Sequence, residues 1–420
     1  MIPAAPATAP SGLRLLAAVF LPFAAGYYVS FLFRNVNSVV FPELTQAYDL
    51  SPGTLGLLTS VYFLTFAGAQ LPLGLLMDRY GPRRVNATML LVAALGGMVF
   101  AVAAGLHTLL LGRALIGMGV AVCFMSSITV FALWFPLERL ATLMGWMLLV
   151  GAIGAISATK PVELALRVID WRMLFALLSG LALCASMAIL FFVPEKPASA
   201  AGGSLRSQIA TVGAILRDRG FWSLGFASAF VQATGLGLLG LWAGPWMRDV
   251  AGLDRAAMAQ DLLFAAGAFG VGGVLCGTLS DRLARRGVPP LATFFAGCVA
   301  STVSLIPIVL GYGAASLALW MLFMAMCPFG TLAFPLLTAR FPREMTGRVV
   351  TALNMVVFLL AFAVQYGVGA IIGLWPVTDG RYALEGYAAA FGLCWALQAA
   401  SVAWLAYTER DALKRMRTAS

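Results

Sequence analysis

A short charged phrase occurs twice in this 420-residue chain, each time wedged between long apolar runs. The first copy is Gly74-Leu-Leu-Met-Asp78-Arg79-Tyr-Gly81-Pro-Arg83-Arg84, and the second is Gly277-Thr-Leu-Ser-Asp281-Arg282-Leu-Ala-Arg285-Arg286-Gly287. Asp78 and Asp281 stand 203 residues apart, close to half the chain, so the sequence reads as an internal repeat with a fixed period. Each half must then hold the same set of apolar segments, joined by the same kind of short polar loop.

Composition decides what those segments are. Hydrophobic residues make up 61% of the chain and charged residues 10%, where a soluble domain carries about 25% charged residues. The mean hydropathy is +0.93. The apolar runs are about 20 residues or longer, the length of a bilayer-spanning helix. A chain in lipid must satisfy its backbone internally, which a helix does within one segment. A barrel would need alternating segments of about ten residues, and these runs are continuous. The reading is an all-α membrane protein with twelve spans, at 15–41, 54–77, 85–105, 108–133, 141–164, 172–193, 221–247, 259–280, 289–311, 314–338, 348–373 and 386–407.

The loops set the orientation. With the first residues inside, nineteen Lys and Arg fall in cytoplasmic segments and five (Arg167, Arg172, Arg248, Arg255, Arg381) in outer loops. The positive-inside rule then places both termini in the cytoplasm. The net charge of +10 follows from these loops and is not a nucleic-acid footprint. The stretch 195–220 is the longest polar segment and divides six spans from six, as a linker between two helix bundles does. The domain reading is a cytoplasmic tail at 1–14, a six-helix bundle at 15–194, the linker at 195–220, a second bundle at 221–408 and a tail at 409–420. Met1 to Ser11 has no basic start, so it reads as a disordered tail and not a cleaved signal. All six cysteines lie inside apolar runs without C-x-x-C spacing, which supports neither a metal cluster nor a disulfide framework.

Several motifs resemble those of the major facilitator superfamily, and the resemblance covers essentially the whole chain. The G-x-x-x-D-R phrase with its following arginines resembles that superfamily's loop 2–3 signature, with an echo in loop 8–9. Leu109-x-x-x-Arg113-x-x-x-Gly117-x-Gly119 resembles its second signature. Asp170-Trp171-Arg172 looks like the usual start of span six, and Arg340-Phe-Pro-Arg343-Glu344 through Gly347-Arg348 looks like the counterpart of Phe135-Pro-Leu-Glu138-Arg139. The resemblance implies two pseudo-symmetric six-helix bundles rocking about a central site. It also implies gating roles for Gly74, Asp78, Arg79, Arg83, Arg113, Asp281 and Arg282. It further implies that Asp78 and Asp281 cap or pair across the cytoplasmic face, which accords with a carboxylate near a helix N-terminus being favourable by about 0.3–1 kcal/mol. The Gly-Pro-x-x-Gly-Gly ending typical of span five in drug:proton antiporters is missing. Gly145, Gly151 and Gly154 are followed here by Ser157, Lys160 and Pro161.

Three basic residues, Arg34, Arg113 and Lys160, lie within spans, while the acidic Glu163 and Asp261 sit near outer ends. A charge near the midplane costs about 2.5–3.5 kcal/mol on insertion scales, so a chain that keeps one there usually uses it. At helical spacing span one presents Phe23, Tyr27, Ser30, Arg34, Asn37 and Phe41 as one face, polar in its middle. The order Tyr27-Tyr28, Arg34, Pro42 resembles span one of glycerol-3-phosphate and related organophosphate antiporters, where the corresponding arginine binds the anionic substrate. Arginine's planar fork suits carboxylate or phosphate oxygens; the competing reading is an arginine snorkelling to the outer interface. Lys160 is either a second anion contact or an ion-pair partner of Glu163. Arg113 reads as structural or coupling-related. Gln70, Gln232, Trp242, Asn354 and Gln365 are further candidates for lining the cavity, against the alternative that the amides glue helices together. Met321, Met324, Met326 and Cys327 suit a soft metal but fit core packing better. The single histidine, His107, falls in an outer loop and away from any midplane relay.

The functional expectation is a secondary transporter of a small anion (organic acid, organophosphate or inorganic oxyanion) in a bacterial inner membrane, run as an exchanger or a proton symporter. Its partners would be the anion, protons and the lipid bilayer, with no nucleic acid, no cofactor and no metal, and the chain would act as a monomer. The alternative is proton-driven efflux of drugs or siderophore-like compounds, which the aromatic density of spans one, two and seven favours and the absence of a deep carboxylate disfavours. A membrane sensor would need a signalling domain, and about ten residues follow Arg410. No nucleophile–base pair or phosphate-cradling loop in a polar setting points to an enzyme.

Overall fold

The computed structural model describes residues 12–135, 137–194, 205–342 and 345–410. Pro136, Lys196, Arg343, Glu344, the 195–204 part of the linker and both chain ends, with Lys414, Arg415 and Arg417, lie outside the described residues. Among the described residues, twelve helices are long and apolar enough to cross a membrane: α1 (Leu16–Asn35), α2 (Pro52–Tyr80), α3 (Pro82–Ala101), α4 (Leu106–Trp134), α5 (Leu143–Ala165), α6 (Trp171–Phe192), α7 (Arg219–Asp249), α8 (Arg255–Arg285), α9 (Pro290–Val309), α10 (Gly313–Thr338), α11 (Thr346–Ile372) and α12 (Leu384–Thr408). The architecture is all-α, with two six-helix halves facing each other. A helix at Asn37–Tyr48 carries on the line of α1, with Val36 between them. The loops alternate between two faces. The linker face carries Tyr80, Gly287 and an additional helix, Leu205–Arg217; the far face carries Ser51, Asp170 and Asp254.

Helix ends follow the local sequence. Ser51, Asp170, Asp218 and Asp254 each accept a hydrogen bond from the backbone N–H three residues on, capping α2, α6, α7 and α8. Arg172, in the first turn of α6, donates to the carbonyls of Ala101 (2.9 Å) and Ala103 (2.8 Å) and to the Tyr48 hydroxyl (3.0 Å). It thereby covers carbonyls that the end of α3 leaves without helical donors. Asp78 and Asp281 do not sit at helix N-termini as expected: they lie in the last turns of α2 and α8, and the α3 start at Gly81 has no side-chain cap. Asp78 instead feels the charge of Arg348.

Packing rests on glycine where helices nearly touch. A Cβ at Gly117 would stand 2.3 Å from the Tyr62 carbonyl oxygen, and one at Gly119 2.4 Å from the Ala93 nitrogen. The glycines of the second signature therefore press α4 onto α2 and α3. Between the halves, α2 and α11 run against each other. Gly56 approaches the Gln365 carbonyl on the far-face side, and Phe66 stacks on Phe358 at 4.1 Å between centroids. The far face is sealed across the halves by an ion pair of Glu43 with Arg255, by Lys160 donating to the Ala256 carbonyl (3.3 Å), by the close pass of Gly244 over the Ser38 carbonyl and by Arg248 above the Phe41 ring (5.3 Å).

The linker is more than a tether. Leu205–Arg217 forms a helix that buries Val212 and Ile215 in the core of the second half. Arg348 donates to the Thr211 hydroxyl at 3.0 Å. Nearby, Arg340 pairs with Glu409 at 2.9 Å and donates to the Ser223 hydroxyl at 2.6 Å.

Two expectations follow. Gly117→Ala should lower stability by about 1–3 kcal/mol, because the clash is with backbone that cannot step aside. Gly68→Ala, which meets nothing within 4 Å, should be neutral, as read by thermal unfolding in detergent. Burial raises the Glu409 carboxyl, but hydrogen bonds from Arg340 and Ser223 and the Arg340 charge outweigh it and leave its pKa below the usual glutamate value. The pair therefore stabilises the fold above the ordinary glutamate pKa of about 4.3 and stops doing so as pH falls through the lowered folded value. Glu409→Gln should flatten this part of the acid limb of the melting curve and lower the melting temperature at neutral pH.

Candidate functional site

The face drawn along α1 is buried in its entirety: Phe23, Tyr27, Ser30 and Arg34 on α1, then Asn37 and Phe41 on the following helix. Arg34 does not snorkel to an interface. It is 9% exposed, and its guanidinium carbon lies 4.6 Å from the ring centre of Phe31, 5.4 Å from that of Phe66 and 5.2 Å from that of Phe358. These rings come from α1, α2 and α11, so Arg34 stands at the seam of the two halves. Its Nε donates to the Tyr62 hydroxyl at 3.5 Å. Among the described residues no carboxylate is within ion-pair distance of Arg34. Its terminal nitrogens have no hydrogen-bond acceptor among the described residues, and they are not fully enclosed.

Tyr62 joins this arginine to a second one. Its ring lies 5.3 Å under the Arg113 guanidinium carbon, and its hydroxyl meets Arg34. Arg113 is fully buried and donates to the Phe33 carbonyl at 2.9 Å. It therefore grips the backbone one residue before Arg34. This is a supporting position, with no route from its guanidinium to open space. Tyr62 escaped the sequence reading although it lies three residues after Thr59, on the same side of α2.

The remaining candidates divide. Tyr27 stacks on Phe124 (5.2 Å) and meets Phe31 edge-on (5.0 Å), close to the Arg34 cage. Asn354 lies one turn before Phe358, is half-buried and has no side-chain hydrogen bond among the described residues. The other amides are engaged. Asn37 donates to Thr59 Oγ1 (3.3 Å), Gln70 to the Ala121 carbonyl (3.4 Å), Gln232 to Ser228 Oγ (2.9 Å) and Gln365 to the Gly237 carbonyl (3.3 Å). Trp242 is buried and donates to the Gln365 carbonyl at 2.8 Å. Several of these bonds serve irregular backbone. Ala121 lies where α4 breaks between Val120 and Cys123, and Gly237 precedes a π-helical turn at Leu238–Trp242 in α7. Lys160 is taken up at the far face: Nζ lies 2.9 Å from Glu163, whose other oxygen meets Arg167 Nε at 2.8 Å.

On the linker face, Arg79 lies over Tyr80 (5.3 Å) and Arg83 donates to the Leu190 carbonyl, tying α3 to α6. Gly74 is half-buried, and Asp281 and Arg282 are exposed and make no ion pair among the described residues. Met324 and Cys327 are core residues, and among the described residues no group of three or more His, Cys, Asp or Glu is arranged to hold a metal.

A twelve-helix membrane fold of two facing halves, with the buried Arg34 guanidinium at their seam, defines the class: a two-bundle membrane protein. The chain belongs to the Major Facilitator Superfamily, whose family model matches residues 23–365. It is similar to the probable sulfoacetate transporter SauU of Cupriavidus necator (23% identical over 275 residues, 62% of this chain and 64% of that one). It is also similar to the hexuronate transporter of Escherichia coli K12 (24% over 267 residues, 59% and 61%) and to the putative multidrug resistance protein MdtD of Escherichia fergusonii (26% over 173 residues, 41% and 36%). The matched stretch is thus less than two thirds of each relative. Among solved structures, a bacterial homologue of the human lysosomal transporter Spinster, inward-facing and occupied, superposes with a TM-score of 0.71 at 18% identity, over 93% of this chain and 96% of that one.

The two arginines should respond oppositely to neutralisation. Arg113→Ala leaves the Phe33 carbonyl without its donor and the Tyr62 ring unsupported inside the core and should cost about 1–3 kcal/mol, the range for leaving a buried polar group unsatisfied. Arg34→Gln removes a charge the protein leaves largely uncompensated, and should leave the melting temperature unchanged or raise it. Thermal unfolding of the two purified variants against wild type checks both.

Proposed function

We propose that this protein is a secondary transporter for a small anionic solute, an organic acid, an organophosphate or an inorganic oxyanion. It would work as an exchanger or proton symporter by alternating access between the bundles 15–194 and 221–408. The observation that carries the reading is Arg34, a buried guanidinium at the seam whose terminal nitrogens have no acceptor, and whose charge has no carboxylate partner, among the described residues. Such a group attracts an anion and offers it paired hydrogen bonds. The names of the sulfoacetate and hexuronate relatives agree with an anionic cargo.

In this reading Tyr27 and Asn354 help Arg34 hold the solute. Asn37, Gln70, Gln232, Trp242 and Gln365 shape the wall, and Lys160 works through its pair with Glu163. Gly74, Asp78, Arg79, Arg83, Asp281 and Arg282 gate the linker face, and Arg113 supports the site. The nineteen-to-five distribution of basic residues supports a cytoplasmic linker face; in this reading the chain works as a monomer in a bacterial inner membrane. The aromatic rings around Arg34 and the MdtD likeness favour a second reading, efflux of apolar drugs, in which Arg34 would be dispensable.

Counterflow in proteoliposomes separates the two. With an anion panel, Arg34→Ala should abolish exchange of the transported anion and Arg34→Lys should reduce it strongly, because the ammonium cannot reproduce the planar fork. Equal movement of cationic dyes by wild type and Arg34→Ala, with no anion exchanged by either, would replace this proposal with the efflux reading.

A further inference from the structure

The surroundings of Arg34 restrict which anion it takes. Three ring systems crowd the guanidinium, and its Nε is used by Tyr62. What remains is the edge that carries the terminal nitrogens, the edge a planar carboxylate or one side of a sulfonate meets with two parallel hydrogen bonds. The site also offers one guanidinium that a ligand can touch. Arg113 is sealed behind Tyr62 and donates to the Phe33 carbonyl, and Lys160 is held at the far face by Glu163 and the Ala256 carbonyl. A dianion would therefore bring a second negative charge into an apolar setting with no second cation in contact with it, which is unfavourable.

The wall beyond the guanidinium is poor in hydrogen-bonding groups. Phe63 and Phe66 both meet Phe358, and Tyr27 packs with Phe31 and Phe124. Asn37, Gln70 and Gln365 each give one N–H bond to the protein and are buried with their amide oxygens enclosed, Gln232 bonds Ser228, and Asn354 is the half-buried candidate amide with no side-chain hydrogen bond among the described residues. A polyhydroxylated acid would bury several hydroxyls without partners, whereas an apolar body would meet ring faces.

We propose that the Arg34 site takes a singly charged organic anion, a carboxylate or sulfonate on an aromatic or aliphatic body, and discriminates against sugar acids and phosphate esters. This narrows the anion-transport reading and rests on it.

The experiment is equilibrium binding to the purified full-length protein, read by thermal shift and by calorimetry, with phenylacetate, hexanoate, glucuronate and glycerol 3-phosphate as probes. Phenylacetate and hexanoate should bind at least about tenfold more tightly than the other two, a difference of about 1.4 kcal/mol. Arg34→Gln should lose that binding while remaining folded, and Phe358→Ala should weaken phenylacetate more than hexanoate. The rank order in the wild type tests the proposal even where a variant fails to fold. Tighter binding of glucuronate or glycerol 3-phosphate that depends on Arg34 would overturn this inference and leave the anion reading standing. Binding of no probe, or binding that Arg34→Gln leaves intact, would overturn both.

Discussion

A positive charge held inside the protein without a negative partner is the constraint around which the rest is arranged. Placing an arginine near the bilayer centre costs about 2.5–3.5 kcal/mol. The protein offsets this with three aromatic faces and one long hydrogen bond to Tyr62. Cation–π contacts contribute about 0.5–2 kcal/mol each, depending on desolvation, so the charge is tolerated but not satisfied. An arginine paired with a buried carboxylate would be self-contained and would gain little from a ligand. Here the terminal nitrogens have no acceptor among the described residues, and in the proposed function the missing interaction is the one an incoming anion supplies.

That arrangement needs a rigid support, which the second signature of the chain provides. Gly117 lets α4 press onto the Tyr62 carbonyl, and Arg113 on the same helix reaches under the Tyr62 ring and across to the Phe33 carbonyl. One motif thus positions both neighbours of Arg34, its hydrogen-bond acceptor and the peptide preceding it. The helices that meet at the seam are meanwhile irregular. α4 breaks after Val120, α7 has a π turn at Leu238–Trp242 and α10 tightens to a 3-10 turn at Cys327–Leu332. The irregular segments of α4 and α10 stand at nearly the same interval as the duplicated loop phrases, so the repeat extends to backbone defects. Carbonyls freed by such defects need donors away from water, which is where the amides of Gln70 and Gln365 are used.

Much of this was legible in the amino-acid order. Twelve runs of spanning length, a repeat at half the chain and a polar stripe on the first span follow from hydropathy and helical spacing, and the structure bears out the spans and the burial of that stripe. Individual partners were harder to read. Tyr62 was hidden because a tyrosine beside phenylalanines reads as one more apolar residue; its value comes from two arginines that approach from other helices. The amides were read as cavity lining or glue without a way to decide, because the α4 break and the α7 bulge leave no pattern in hydropathy. The family resemblance implies that Asp78 and Asp281 cap or pair across the cytoplasmic face; the helices run through both aspartates before turning, so neither caps a helix start, while Asp78 feels the charge of Arg348. The Leu205–Arg217 helix lies in a segment that polarity alone marked as a linker. It folds because Val212 and Ile215 fall on one side and find a core to bury in.

The same weighing of weak and strong contacts bears on how such a molecule would switch. Alternating access requires two states separated by a few kcal/mol, so that ligand binding can shift their balance. The far-face seal is built to match. The Glu43–Arg255 pair and the Lys160 contact to Ala256 involve partly exposed side chains, and exposed pairs of this kind contribute about 0–1 kcal/mol each. Gly244 over Ser38 and Gly53 beside Ala370 add close backbone contact without side chains that would have to disengage. By contrast the Arg113–Tyr62–Phe33 assembly lies wholly within one half and is fully buried. A rocking motion of one half against the other would part the weak contacts while leaving the support of Arg34 intact. The stacking of Phe358 on Phe66 crosses the seam directly beside the guanidinium, so any opening there changes the cage itself. The affinity of the charge for its ligand is thereby tied to the relative position of the two halves.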